Sequence, residues 1–322
     1  MASVHLGNQF HKVKLDELPD ITTWQKQLKA IYKTRRGGIG FIPGFPKQFS
    51  SDEFFVELKL MKEHKTPMEV KHIKLETYTD LLKLKSTHGI SLNHVLVSGL
   101  AGTGKTTLTS RLAYQWAISD EGACYHSSTS SQPISVNDLD NFDLVFALDM
   151  RKVQVNQDLF DAITKQLLPS ISGPTLRSYI SSNADKCLFV FDGYDELGSN
   201  DMILSEYLLC GCQTIVTTRP NKVDDFNTCY EGYIQVLLEG FSDKSIITFV
   251  SAFVRATDQE YADKQSKCLL KELTKSDTTT TLSHFPLMMC VIWKQNQTLG
   301  WLGNHQKCHF LNSSIILPLT SF

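Results

Sequence analysis

Between residues 99 and 106 the chain reads Gly99-Leu-Ala-Gly-Thr-Gly104-Lys105-Thr106, a match to G-x-x-x-x-G-K-[ST]. The apolar residues Val95, Leu96 and Val97 precede it, and a helical pattern follows from Thr106 to Ala117, with Leu108, Leu112, Trp116 and Ala117 on one side. A strand that turns through glycines into a helix is a built anion site. The glycines let backbone N–H groups curl around phosphate oxygens, and the helix presents its unpaired N–H groups to the same charge. Gly99, Ala101, Gly102, Thr103, Gly104, Lys105, Thr106 and Thr107 are therefore the expected phosphate-loop residues, and ATP or ADP the expected ligand. Lys105 suits the β- and γ-phosphates, and the Thr106 hydroxyl suits Mg2+.

The order of segments around this loop points to an α/β fold, a doubly wound parallel sheet followed by a small helical domain. Leu144–Leu148, Cys187–Phe191 and Thr214–Val216 are uniform apolar or β-branched runs, as strands buried on both faces require. Helical patterns at 157–168 and 174–182 lie between the first two, so strands alternate with helices. From Ser242 the pattern is all helical. Ser242 is placed to cap 243–255, whose Ile246, Phe249, Val250 and Phe253 form one stripe, and further helices fit 258–274 and 287–296. Upstream, 20–36 reads as a helix capped by Asp20, with Ile21, Trp24, Leu28 and Ile31 on one face. The connector GGIGFIPGFPKQFSS follows, then an alternating strand over Phe54–Leu60 and a short helix at 77–86. The expected divisions are a helix and linker at 1–50, a lead-in at 51–91, the nucleotide domain at 92–240, the helical domain at 241–298 and an irregular tail at 299–322.

A second carboxylate-bearing strand supports the phosphate loop. Cys187-Leu-Phe-Val-Phe191 runs into Asp192, then Gly-Tyr-Asp195-Glu196. A carboxylate at the C-terminal end of a buried strand beside a phosphate loop suits Mg2+, held directly or through water. Asp195 or Glu196 is then placed to orient or deprotonate an attacking water. The bland alternative is an acidic turn after a strand. Arg219, after Thr214-Ile-Val-Thr-Thr218, leaves the same sheet edge and is a candidate γ-phosphate contact.

Composition excludes several classes. A formal net charge of −2 gives no electrostatic reason for nucleic-acid or membrane binding. The basic stretch from Lys26 to Arg36 reads as the solvated face and last turn of a helix. The N-terminus lacks the apolar stretch of a secretory signal, and the apolar run Phe285–Trp293 is too short to span a bilayer. Eight cysteines without a CxxC pair read as reduced thiols of a cytoplasmic protein. His305, Cys308 and His309 lack a second ligand pair, so zinc is not expected.

With these motifs in order, residues 52–298 resemble the NACHT nucleotide-binding domain of NOD-like receptors, within the STAND class of P-loop NTPases. GLAGTGKTTLTSRLAYQWA resembles its phosphate loop and helix, FDLVFALDMRKV its second strand, CLFVFDGYDEL its extended Walker B and TIVTTRP its sensor-1 strand. Gly240–Phe241 resembles the lead into its first helical domain, and His284-Phe-Pro286-Leu287 the segment whose proline packs on adenine. The resemblance implies phosphate and Mg2+ binding by Gly102, Gly104, Lys105, Thr106 and Thr107, Mg2+ at Asp192, hydrolysis supported by Asp195 or Glu196, sensor 1 at Arg219 and a base contact at Pro286. It also suggests an adenine contact upstream of the loop, for which Tyr78–Leu81 is the candidate. Family receptors continue into a winged-helix domain and repeats. The tail WLGNHQKCHFLNSSIILPLTSF shows no helical period, so a truncated receptor is expected.

The leading expectation is an ATP-binding innate-immune switch with weak ATPase activity, self-associating or pairing with related NACHT proteins. The alternative is a non-catalytic truncated receptor that modulates full-length relatives. A small-molecule kinase ranks last, because only Arg219 among the arginines has a placement that suggests phosphate contact.

Overall fold

The computed structural model describes residues 21–36, 38–39, 49–50, 55–65, 69–84, 94–119, 136–154, 157–197, 211–230, 232–257, 262–274 and 276–298. Asp20, Phe54 and the trio His305, Cys308 and His309 lie outside them. Helix α1 spans Ile21–Arg36. A two-residue ladder pairs β1 (Gly38–Ile39) with β2 (Phe49–Ser50). The main sheet contains β3 (Leu58–Lys65), β4 (Val70–Leu75), β5 (His94–Ser98), β6 (Leu144–Asp149), β7 (Cys187–Asp192), β8 (Gln213–Thr218) and β9 (Ile234–Phe241), in the order β4-β3-β9-β5-β8-β7-β6. Helices α2 (Lys105–Ile118), α3 (Leu159–Gln166), α4 (Gly173–Ser182) and α5 (Val223–Cys229) accompany the sheet. Helices α6 (Asp243–Thr257), α7 (Ala262–Leu273), α8 (Asp277–Ser283) and α9 (Pro286–Thr298) follow it.

The sheet is the α/β core expected, with one difference. Strands β9, β5, β8, β7 and β6 run parallel, whereas β3 pairs antiparallel with both β9 and β4. The uniform runs form β6 and β7, buried at every position. Strand β9 escaped the sequence reading because Ile234, Val236 and Leu238 are buried while Gln235, Leu237 and Glu239 are partly exposed. Its alternation is weak and its last residues look like a linker. The strand expected at Phe54–Leu60 begins at Leu58, with Phe55 and Val56 buried before it. The helix expected at 77–86 is a 3-10 turn over Tyr78–Lys83.

Edge strand β6 has its outward backbone groups paired by side chains. Gln25 Nε2 donates to Asp143 O at 3.0 Å, and the Tyr32 hydroxyl donates to Val145 O at 2.8 Å and accepts from Ala147 N at 2.9 Å. Gln166 accepts from Asp149 N and donates to Asp149 O, each at 3.2 Å. Every second residue from 143 to 149 is served in this way. An open edge is thereby closed, and α1 and α3 are fixed against the sheet.

In the helical segment, Ile246, Phe249, Val250 and Phe253 are buried as one stripe, and the Ser242 hydroxyl accepts from Ser245 N at 3.1 Å. Helix α8 was not foreseen. Its threonine-rich sequence has poor helix propensity, and Ser276 starts it by accepting from Thr279 N at 3.2 Å.

Candidate functional site

The phosphate loop leaves β5 at the middle of the sheet and is tied to β8 by Gly99 N donating to Thr218 O at 3.1 Å. Gly102 and Gly104 take φ of 80° and 105°, in the left-handed region where a side chain is strained. Gly104 is the N-cap of α2, so the first N–H groups of that helix face the loop's concavity. Lys105 Nζ donates to Gly99 O at 2.5 Å and Leu100 O at 3.0 Å. Burial pulls its ammonium below the usual lysine range, and the carboxylates of Asp195, Asp192 and Glu196 oppose that pull.

A cleft of about 970 Å³ opens over this loop. Ala101, Gly102, Gly104, Lys105, Thr106 and Thr107 form one wall. Gly99 and Thr103 are buried beneath it, where the Thr103 hydroxyl donates to Leu100 O at 2.8 Å. These two shape the loop from below and do not line the cleft.

Parallel pairing brings the acidic residues alongside. Strands β6 and β7 run in register, with Asp149 opposite Asp192. Asp192, 6% exposed, accepts from the Thr217 hydroxyl at 2.9 Å, and that hydroxyl accepts from Gly193 N at 2.9 Å. Asp195 is held by Arg219 twice, with Nε to Oδ2 at 2.8 Å and backbone N to Oδ1 at 3.1 Å. Glu196 is more exposed, and Arg151 Nε lies 3.5 Å from its Oε2. All these groups except Thr217 line the cleft. The sequence left Asp195 and Glu196 equivalent. The structure separates them, since both Asp195 oxygens are engaged.

Sequence reasoning missed the end of β6. Asp149 accepts from Arg151 N, Nε and Nη2 at 3.2, 2.9 and 3.2 Å, and Lys152 Nζ lies 3.3 Å away. Burial pushes the Asp149 carboxyl up, but these cations outweigh it and hold it below the usual range. The signal lay in the string LDMRKV, an acid and two bases directly after a uniform apolar strand. Arg219 is thus not alone among the arginines, for Arg151 and Arg111 also line the cleft.

The cleft also has an apolar lining. Pro286 opens α9 and lines it with Leu287, Cys290, Phe241 and Phe249. Burial pushes the Cys290 thiol up to about 12. Phe241 N donates to His284 O at 2.8 Å, which fixes the start of α9 to the end of β9. Gly240 takes φ of 95°, and a Cβ there would stand 2.1 Å from His284 O, so the joint admits only glycine. Of the upstream adenine candidates Tyr78–Leu81, Tyr78, Thr79 and Leu81 are buried, Tyr78 against the Phe55 ring. Phe55, Val56 and Leu58 line the cleft instead.

Residues 93–257, just over half of the chain, match the NACHT domain family. The chain belongs to that family. The chain is 27% identical over 227 residues to Protein NLRC5 of Ictalurus punctatus, covering 60% of this chain and 12% of that protein. It is 25% identical over 189 residues to human NACHT, LRR and PYD domains-containing protein 10, covering 53% of this chain and 26% of that one. Against mouse Baculoviral IAP repeat-containing protein 1b it is 34% identical over 142 residues, 41% of this chain and 9% of that protein. The chain therefore matches about a quarter or less of the length of these relatives. Homology makes it a nucleotide-binding module of the NOD-like receptor type. Among the described residues no helix is long and apolar enough to cross a membrane.

Proposed function

We propose that this NACHT chain is an ATP-binding switch with slow ATP hydrolysis, acting in the cytoplasm in innate-immune-type assembly. The observation that carries the reading is a single cleft lined both by the phosphate loop, Lys105 and Asp192 and by the apolar Pro286, Phe241 and Phe249. Its volume of about 970 Å³ suits a nucleoside triphosphate. Lys105 and the loop N–H groups hold the β- and γ-phosphates, and Pro286 packs on the base. Thr106 and Asp192 are the donors for Mg2+, and their hard oxygens fit that ion. When bound, Mg2+ neutralises charge on the phosphate oxygens. Glu196 orients the attacking water, and Arg219, fixed by Asp195, meets the γ-phosphate. Residues 92–240 act as the nucleotide domain and 241–298 as the helical wall that closes on the base. Self-association, or pairing with related NACHT proteins, is the output.

A second reading has its own support. Asp195 is occupied by Arg219, and Glu196 stands beside Arg151, so both candidate bases face cations. A module that binds nucleotide without turning it over fits that pairing. Steady-state phosphate release, set beside single-turnover ATP binding, separates the two. Turnover that Glu196→Gln slows at least tenfold supports the switch with hydrolysis. Stoichiometric binding with no phosphate release supports the non-catalytic module.

A further inference from the structure

The proposed function leaves the end of β6 without a task. Asp149 and Asp192 are register partners, so the turn after β6 and the turn after β7 leave the sheet side by side. The first carries Arg151 and the second Glu196, and both line the cleft with Lys105 and Arg219. Arg151 grips Asp149 through two N–H groups, at 2.9 and 3.2 Å. A guanidinium has five such donors. Its approach to Glu196 is looser, 3.5 Å from a nitrogen whose hydrogen already points at Asp149. The side chain is thus anchored at one carboxylate, near a second, with donors to spare. Its anchor is nearly buried and will not move, since Gln166 holds the Asp149 backbone on both sides.

We propose that Arg151 is a second residue, beside Arg219, that distinguishes a nucleoside triphosphate from a diphosphate in this cleft. With a diphosphate bound, its spare charge stays with Glu196. With a triphosphate bound, it turns to the terminal phosphate while keeping Asp149, because a phosphate offers more charge and a better bidentate fit than a carboxylate at 3.5 Å. Glu196 is then free to face water. In the step that follows, the water oxygen bonds to the γ-phosphorus and its proton passes to Glu196. The bond from γ-phosphorus to the β,γ-bridging oxygen breaks, and its electron pair leaves with ADP. Capture of the terminal phosphate by Arg151 and release of the base are one event. This rests on the proposed function and names a second sensor within it.

The test is a binding titration of the full chain with Mg2+ and either ADP or the non-hydrolysable triphosphate AMP-PNP. Arg151→Ala should weaken AMP-PNP about tenfold or more and leave ADP within about twofold, and Arg151→Lys should recover part of the loss. Glu196→Gln removes the competitor for the guanidinium, so it should tighten AMP-PNP, and that gain should vanish when Arg151→Ala is added. If Arg151→Ala does not fold, Arg151→Lys takes its place in both arms, with a smaller loss that is still confined to AMP-PNP. Equal losses for both nucleotides on Arg151→Ala, no loss for either, or a Glu196→Gln gain that persists without Arg151 would overturn the inference while nucleotide binding stands. A wild-type chain that binds neither nucleotide would overturn the proposed function and the inference with it.

Discussion

The Thr217 hydroxyl donates to Asp192 Oδ1 at 2.9 Å and fixes which carboxylate oxygen stays open to the cleft. Strand β8 thereby orients the strongest metal-ligand candidate on its neighbour β7. Thr217→Val keeps the shape and removes the hydroxyl, which leaves Asp192 Oδ1 and Gly193 N without this partner. A lost hydrogen bond to a buried charge is worth about 1.5–3 kcal/mol. Mg2+-dependent nucleotide affinity should fall about tenfold, and Mg2+-free binding should change little. Titrations with Mg2+ and with a chelator would show this. Equal losses in both would refute an orienting role.

Tyr32 ties α1 to the sheet edge through Val145 O and Ala147 N. Tyr32→Phe leaves those buried groups without the hydroxyl and should cost about 1–3 kcal/mol. Thermal unfolding of the variant should begin several degrees lower with nucleotide affinity unchanged. An unaltered melting temperature would mean that the edge finds another partner.

His94 begins β5, fully buried and stacked on Tyr233 at 5.1 Å, with neither ring nitrogen bonded among the described residues. Burial lowers its pKa from 6.5 to about 4. Between those values the unfolded chain holds a proton the folded chain refuses. Stability therefore falls as pH drops from 6.5 toward 4, by about 3 kcal/mol in full. Glu57, pushed up to about 7 by burial, acts in the opposite sense, losing its contribution as pH rises from 4.5 to 7. The two overlap, so the informative quantity is a difference. From about pH 7.5 to about pH 5, wild type should lose more melting temperature than His94→Leu. Parallel curves would show that His94 titrates normally in the fold.

Elements with a strong pattern were legible in the sequence. Uniform runs gave β6 and β7, and the stripe at Ile246, Phe249, Val250 and Phe253 gave α6. The phosphate loop and Asp192 were legible because their chemistry fixes residue types at fixed spacing. What was hidden depends on pairing across distance. Strand β9 alternates too weakly to stand out alone, and its place beside β5 makes it a strand. The short connection from Lys65 to Val70 makes β3 and β4 antiparallel, but the pairing of β3 with β9 joins segments far apart in the sequence. Arg151 gained meaning only when the register of β6 on β7 set it beside Glu196. The buried state of Tyr78 likewise follows from Phe55 packing over it.

Titration of ADP and AMP-PNP into the 322-residue chain with Mg2+, wild type beside Lys105→Ala, tests the nucleotide switch most directly. The Lys105 ammonium is the one loop side chain that carries full charge to the phosphates, and its loss removes charge-assisted contacts that nothing else in the loop replaces. Wild type should bind one equivalent of each nucleotide, and Lys105→Ala should bind neither measurably while retaining its folded spectrum. Equal affinities in the two proteins would contradict nucleotide binding at this cleft.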